Sequence, residues 1–417
     1  MTRTLHRGAA AAARGFALAA TLTGPAALPA HAMPDPSPEA IATSLCAALK
    51  GAVGAAVEPV LLPSFEPGPH EDALPPFVAG AAHVYDNALA VIALLACDET
   101  AAALLIADAL SLAAGDGGRL ANAYMAGSAR GAPVPLGAMT DGGWHVDAYA
   151  AGLTTGNAAW VALAFLRTHT ATSDPRWLGA AQTVMRWVLD AATARVGLPG
   201  FTGGLAWRDG AVRPVTWKST EHNTDVAAAA AWLGRATGDG RFVEAAADAA
   251  FFVTTMLQDD GRVLIGTLSD GVTPNRETLA LDAALWPVLA GLVPGARVDA
   301  VLSMARSDFG VPGGVDYNND RDGLWVEGTA QLAAVLHARG HEEDALELLG
   351  ALMAHDRAES GVLYATRPDV LSTGFALADG TPRTYTRRPH LGTTAWATLA
   401  ATGTNPFVPP ATATAGR

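Results

Sequence analysis

Residues 221–234 read EHNTDVAAAAAWLG. After its first turn the stretch is alanine-rich and apolar on every face. A helix without a polar face has to be buried all round. Its first turn nevertheless carries Glu221, His222, Asn223 and Asp225. Glu221 and Asp225 are four residues apart and share one face. Burying such groups is costly unless they meet partners or a cavity. The stretch therefore reads as an inner helix whose polar tip opens on a site.

Five more stretches have the same character: YDNALAVIALLA from Tyr85, GNAAWVALAFLR from Gly156, LALDAALWPVLAGL from Leu279, WVEGTAQLAAVLH from Trp325 and RPHLGTTAWATLAA from Arg388. Successive starts lie 46 to 71 residues apart. Pro287 would kink the fourth. Between them fall amphipathic helices with the 3.6-residue stripe of a surface element: Glu39–Ala56, Thr100–Ala114, Pro175–Ala191, Arg241–Leu257, Val298–Phe309 and Glu342–Asp356. In the third of these, Trp177, Leu178, Ala181, Val184, Met185 and Val188 share one face. Six buried helices alternating with six half-buried ones predict an all-α chain, an inner ring wrapped by an outer ring, the (α/α)6 barrel. Strand-type alternation is scarce.

Loop lengths give the ring a polarity. Links from inner to outer helix are short, as at Cys97–Glu99 and Ala236–Gly240. Links from outer back to inner are long: Gly115–Thr155, Arg195–Thr220, Gln258–Glu277 and Ala358–Arg387. Long structured loops in a compact domain are usually functional. All of them converge on the end where the inner helices begin.

The first 32 residues are expected to lie outside this domain. Arg3, Arg7 and Arg14 precede an apolar run from Phe16 to about Leu28, and Ala30-His31-Ala32 has the small-x-small form of a cleavage site. This reads as a secretory signal peptide, 1–32, ahead of a single domain, 33–417. Gly24, Pro25 and Pro29 interrupt a run already too short to span a bilayer. Removing the three arginines takes the net charge from −13 to −16. An acidic surface argues against nucleic acid or anionic membranes as partners. Cys46 and Cys97 would form one disulfide in an oxidising compartment or remain as two buried thiols. Two cysteines without CxxC spacing cannot build a structural zinc site alone. Asp316–Asp322, DYNNDRD, clusters oxygen ligands but lacks the glycine and terminal glutamate of an EF-hand loop, and it reads as a polar turn. No metal or cofactor is called for.

The polar residues gather at the inner-helix starts. Tyr85, Asp86 and Asn87 open the first, and Asn157 and Trp160 the second. Asp282 and Trp286 lie on the fourth, Trp325 and Glu327 open the fifth, and Arg388 and His390 the sixth. The long loops add Trp144, His145, Asp147, Tyr149, Trp207, Trp217, Tyr317 and Tyr364. Helix capping accounts for any one of these carboxylates. It does not account for the set, nor for the aromatic residues beside it. Carboxyl pairs flanking a bond perform glycosidic hydrolysis, and helices across a ring can hold them at the roughly 6.5–9.5 Å that inversion needs. Asp86 with Glu221 is the first choice of pair, and Glu327 and Asp225 are the alternates. Tyr85, Asn87, Trp144, Asn157, Trp160, Trp217, His222, Asn223, Asp282, Tyr317, Trp325, Arg388 and His390 are the candidate sugar-binding residues.

The motifs YDNALAVIALL, TGNAAW, WKSTEHNTD, LWVEGTAQ and RRPHLGTTAW resemble those of the six-hairpin glycosidase superfamily, the (α/α)6 hydrolases and lyases of bacteria, over about residues 39–407. The resemblance implies a carbohydrate substrate, with catalytic carboxylates at inner-helix ends such as Asp86, Glu221 and Glu327. Three functions fit: an exported glycoside hydrolase, a lyase of uronate glycans using His222, Asn223, Tyr85, His390 or Arg388, and a glycan-binding or exopolysaccharide-assembly protein without catalysis. A basic patch of Lys218, Arg387 and Arg388 would favour the lyase.

Overall fold

A computed structural model describes residues 37–410, apart from 72, 76, 141, 209 and 377–379. The signal peptide expected at residues 1–32 lies outside the described residues. Twelve helices follow in order among the described residues. The outer ones are α1 (Pro38–Val53), α3 (Thr100–Ala114), α5 (Pro175–Ala192), α7 (Gly240–Met256), α9 (Gly295–Phe309) and α11 (Glu342–His355). The inner ones are α2 (Val84–Ala96), α4 (Thr155–Thr172), α6 (Thr220–Thr237), α8 (Leu281–Leu289), α10 (Val326–Ala338) and α12 (Leu391–Ala401). Each inner helix packs on the next, α2 on α4, α4 on α6, and so on to α12 on α2, so the inner ring closes. Each outer helix packs on the inner helix before it, α1 apart, which opens the chain and packs on α12 and α2.

Sequence chemistry explains the two kinds of helix. On α5 the buried residues include Trp177, Ala181, Val184, Met185 and Val188, one stripe of a helix otherwise turned to solvent. On α10 every residue from Val326 to Leu336 is buried. The outer helices α1, α5 and α7 start with Ser37, Asp174 and Asp239, whose side chains accept a first-turn N–H. Such a cap contributes about 1 kcal/mol. The inner helices α2, α8 and α10 have no side-chain cap and carry Asp86, Asp282 and Glu327 in the first turn, at the positive end of the helix dipole. Pro287 leaves α8 the shortest of the twelve.

The scarcity of strands is corrected in part. Among the described residues, thirteen short strands, two to seven residues long, lie in the links that lead into the inner helices. Two strand pairs and four single bridges follow a sixfold rule. The residue or residues before each inner helix pair with the next long loop: Ala81–His83 with Ala123–Met125, Leu153–Thr154 with Gly204–Leu205, Ser219 with Gly266, Ala280 with Asn318, Trp325 with Thr366, and His390 with Phe65. Each loop thus clasps the start of its neighbour, and the six inner N-termini are held as one rim.

The opposite end is closed by apolar packing. Phe407 packs against Trp160, Trp286 and Trp396 inside the ring. Its segment is tied down where Arg167 donates to the carbonyls of Asn405 and Val408, and Asn405 donates to that of Leu289 at 2.8 Å. Cys46 and Cys97 form a disulfide between α1 and the end of α2. It closes a long loop, 51 residues apart in sequence, and contributes on the order of 4 kcal/mol in the chain-entropy view. No described helix is long and apolar enough to cross a membrane.

Candidate active site

The rim carries two groups of carboxyls. The first comes from α2, α10 and the start of α12. Asp86 is buried, and its Oδ2 accepts from His390 Nε2 at 3.2 Å. His83 Nδ1 stands 3.8 Å from the same oxygen. Gly392 is required here, because a Cβ would lie 2.5 Å from Asp86 Oδ1. His390 stacks on Phe65 with centroids 4.6 Å apart, which fixes the ring plane. Its Nδ1 faces Thr393 Oγ1 at 2.9 Å and Glu327 Oε2 at 3.6 Å. Glu327 Oε1 accepts from Tyr85 Oη at 2.9 Å and from Gln331 Nε2 at 3.4 Å. Tyr85 in turn accepts from Trp396 Nε1 at 2.7 Å.

These contacts set the charges. Burial pushes Asp86 up, but His390, His83 and Ser64 together hold it below the usual carboxylate range. Burial works against a charged His390, yet Asp86 and Glu327 raise its pKa. Asp86 and His390 therefore form an ion pair. Glu327 is pushed up to about 7, chiefly by burial, with Asp86 adding to it and His390 opposing. A carboxyl that keeps its proton to near neutrality can act as a general acid.

The second group comes from α6 and α8. Ser219 caps α6 and also donates to Glu221 Oε1 at 3.2 Å. Asp282 is buried and hydrogen-bonded to Glu221; burial first and the Glu221 charge second push it far above the carboxylate range. Asp225 is 1% exposed, and neither of its carboxyl oxygens has a partner. Burial, then Glu221 and Asp282, hold it protonated well above the ordinary value. His222 Nδ1 is also without a partner, and burial keeps that ring neutral. The close approach of Gly156 explains this crowding: a Cβ there would lie 2.5 Å from the His222 ring and 3.1 Å from Asp225 Oδ2.

Aromatic rings line the ground between. Tyr317 meets Trp325 edge-on at 4.9 Å, and Trp325 stacks on Tyr385 at 5.7 Å. Tyr85 stacks on Trp286 at 6.1 Å and meets Trp160 edge-on at 5.4 Å, forming a floor above the Phe407 plug. Trp217 lies against Gly203 and 5.5 Å from His222. Both groups act on this space: Glu327 and Asp282 each raise the Tyr385 phenol, after burial.

Several expected binding residues are committed elsewhere. Asn87 is corrected from ligand to staple: it bonds the Leu62 N–H and carbonyl and the His83 carbonyl. Asn223 does the same for Phe201 and for the Ser219 carbonyl. Asn157 donates to Asn122 Oδ1 at 2.9 Å, which also receives Thr154. Arg388 pairs with Glu71 through two nitrogens. Arg387 bonds the Thr366 and Arg367 carbonyls, and Lys218 bonds the Val196 carbonyl, so the expected basic patch does not form. Trp160 and Trp325 are buried core rather than open platforms. Trp144 lies on strand Gly143–Val146, and its side chain is outside the described residues. Asp316, Asp320 and Asp322 come together, but their oxygens accept backbone N–H groups of Tyr317, Gly323, Asp322 and Ser372, as a polar turn does.

Sequence reading missed His83, Phe65, Tyr385 and Arg383. The last two lie on strand Pro382–Thr386, and the guanidinium of Arg383 sits 5.8 Å over the Tyr149 ring. Burial works against the charged form of Arg383, and the Tyr149, Tyr385 and Tyr317 phenols and Glu221 favour it. The alternation in RTYTR, with Arg383 and Tyr385 two apart, was the available signal.

A closed double ring of helices with carboxyls at the inner N-termini is the (α/α)6 fold expected of the six-hairpin glycosidase superfamily. The comparisons agree. Residues 144–298 match the model of glycosyl hydrolase family 76, a stretch that holds Glu221, Asp225 and Asp282. The fold and this match make the chain a glycoside hydrolase of that class. No curated protein matches it in sequence. Among solved structures, it is similar to a glycosidase in complex with glucose (17% identity, TM-score 0.59, covering 88% of this chain and 97% of that one). It is similar to an α-1,6-mannanase of Salegentibacter sp. HEL1_6, an inactive variant with two adjacent aspartates changed to asparagine, bound to α-1,6-mannotriose (13%, 0.56, 89% and 100%). It is also similar to a D-mannose isomerase (14%, 0.60, 88% and 98%). At these identities the likeness speaks for the fold.

Proposed function

We propose that this chain is an exported glycoside hydrolase in which Glu327 is the proton donor and Glu221 is the second catalytic carboxyl. The carrying observation is Glu327: buried, raised to about 7, and oriented by Tyr85 on one oxygen with His390 near the other. Its proton passes to the glycosidic oxygen as the bond to the anomeric carbon breaks. Glu221 then assists water, or attacks, from the opposite face. The Asp86–His390 pair holds the ring beside Glu327 and helps return the proton. Asp86, the first-choice catalytic carboxylate from sequence, is better cast as a positioning residue, because it is buried and paired.

The mannanase above was inactivated at adjacent aspartates. This sequence has one adjacent pair, Asp259-Asp260, on an exposed turn, where Asp260 bonds Arg262. The carboxyls proposed here come instead from separate helices. A lyase reading is disfavoured by charge. A uronate would face the carboxyls of Asp86, Glu221, Asp225, Asp282 and Glu327, and the basic patch expected to neutralise it does not form. Neutral or basic glycans suit the site, and α-1,6-mannan is the first to assay. The Cys46–Cys97 disulfide supports export to an oxidising compartment.

The test is incubation of the purified chain, and of Glu327→Gln and Glu221→Gln, with neutral and uronate glycans. Release of new reducing ends by the parent and its loss in both variants supports the reading. Full activity in both variants overturns the assignment.

A further inference from the structure

The two oxygens of Glu327 are held unequally. Oε1 accepts from Tyr85 Oη at 2.9 Å and from Gln331 Nε2 at 3.4 Å. Oε2 has His390 Nδ1 3.6 Å away. A neutral carboxyl carries one hydrogen, on one oxygen only. Where that hydrogen sits depends on what Tyr85 does with its own, and Trp396 decides that. Trp396 lies on α12, wholly buried, and its Nε1 donates to Tyr85 Oη at 2.7 Å. An indole N–H can only donate. Tyr85 accepts it, and among the described residues the acceptor for its own single hydrogen is Glu327 Oε1. With Oε1 taken as an acceptor, the carboxyl hydrogen is left to Oε2. The indole is held in place by rings around it, Trp160 at 5.8 Å, Trp286 at 6.0 Å and Phe407 at 6.5 Å. Burial alone does not produce such a bond. The buried indoles of Trp160, Trp177, Trp286 and Trp325 leave Nε1 without a partner.

We infer that Trp396 is a positioning residue for Glu327: acting through the Tyr85 hydroxyl, it fixes the acid hydrogen on Oε2. This deepens the hydrolase reading and rests on it for the claim that this hydrogen goes to the glycosidic oxygen. Three inner helices, α12, α2 and α10, supply one member each. The direction of each bond is set by the one behind it, and hydrogen bonds in a chain strengthen one another. When Glu327 is ionised, the Tyr85 hydroxyl binds it more strongly, and the phenol oxygen becomes a better acceptor for the indole. Without the indole, the hydroxyl is free to turn over and accept a hydrogen from Oε1. The neutral carboxyl then gains a second arrangement, aimed at Tyr85 instead of a substrate, and the ionised carboxyl loses support. Both changes raise the pH at which Glu327 gives up its proton. The other groups facing Glu327 are His390 ahead of α12, Asp86 on α2, Asp282 on α8 and Tyr385 on strand Pro382–Thr386. A change at Trp396 leaves all four in place.

The indole N–H reports on this coupling in the full chain without any substrate. Proton–nitrogen correlation spectra of the tryptophan-labelled protein are followed against pH, and the Trp396 signal is identified by its loss in Trp396→Phe. It should move downfield as pH rises through about 7, the value to which Glu327 is pushed. The movement should be absent in Glu327→Gln and in Tyr85→Phe. Should Trp396→Phe fail to fold, Overhauser contacts from the indole N–H to the Tyr85 ring identify the signal instead. Kinetics on a cleaved glycan give the second readout. Tyr85→Phe should move the falling limb of the pH–rate profile up by about one unit. Trp396→Phe should move it by about half a unit and lower kcat several-fold, with KM unchanged because the residue is buried. Trp160→Phe makes the same truncation in the same ring cluster, but its indole has no partner, so the limb should stay where it is. A Trp396 signal that ignores pH, a signal that titrates equally in Tyr85→Phe, or an equal limb shift in Trp160→Phe overturns the inference. The hydrolase reading fails separately. A titrating Trp396 signal with cleavage intact in Glu327→Gln would keep the coupling and sink Glu327 as the acid. Cleavage lost in Glu327→Gln with a silent Trp396 signal would do the reverse.

Discussion

The two halves of the rim are made of the same residue types but solve burial differently. On the α2–α10–α12 side each carboxyl has partners: His390 and Ser64 for Asp86, and Tyr85 and Gln331 for Glu327. On the α6–α8 side three carboxyls crowd together, and Asp225 has no partner at all. The first half is already satisfied and can hold a proton in a fixed place. The second leaves Asp225 and His222 Nδ1 unsatisfied. Breaking the Asp86–His390 pair should therefore cost stability, and removing the Asp225 carboxyl should not.

The largest effect expected is on catalysis. Glu327→Gln removes the proton donor and should lower turnover by about 10²–10⁴-fold, with little change in substrate affinity, in steady-state kinetics. Asp86→Asn comes next. It breaks a buried ion pair and leaves His390 without its counter-charge, so chemical denaturation should show a loss of about 3 kcal/mol or more. If Asp86→Asn were as stable as the parent, the two halves would not differ as described.

Stability and pH supply a third contrast. Glu327 binds its proton more tightly in the folded chain, with a value of about 7 against 4.5. Folding stability should fall as pH rises from about 4.5 to about 7, and level off above. A shift of this size corresponds to about 3 kcal/mol at most. Glu327→Gln should therefore melt higher than the parent at pH 8 and match it at pH 4. Activity has the same cause and should decline as pH climbs through about 7, in a pH–rate profile, because the acid loses its proton. The smallest effect is on the other side. Asp225→Asn removes a carboxyl that is crowded by Glu221 and Asp282. It should leave stability unchanged or raise it by about 1 kcal/mol at neutral pH, since a buried carboxyl without a partner has no hydrogen bond to lose. A large destabilisation there would show that Asp225 has a partner after all.

Much of this was legible in sequence because burial writes itself into composition. A helix such as Val326–Ala338 has no face to show solvent, and its start is found to within a residue or two from LWVEGTAQ. Glu221, Asp225, Asp282 and Glu327 stood out for the same reason, as polar residues on apolar helices. The short strands did not, because a pair such as Leu153–Thr154 is too brief to alternate. The roles of Asn87 and Asn223 were hidden as well. Their partners, Leu62 and Phe201, lie more than 20 residues upstream and are ordinary apolar residues whose backbone alone takes part. Asp86 was visible, but its pairing with His390, 304 residues away, was not.

The central claim is tested most directly by product analysis with α-1,6-mannan, amine-bearing glycans and uronate glycans, for the parent and Glu327→Gln side by side. The account predicts saturated sugars with new reducing ends from a neutral or basic glycan, and none above background from the variant. Unsaturated uronate products, or cleavage that survives Glu327→Gln intact, would contradict it.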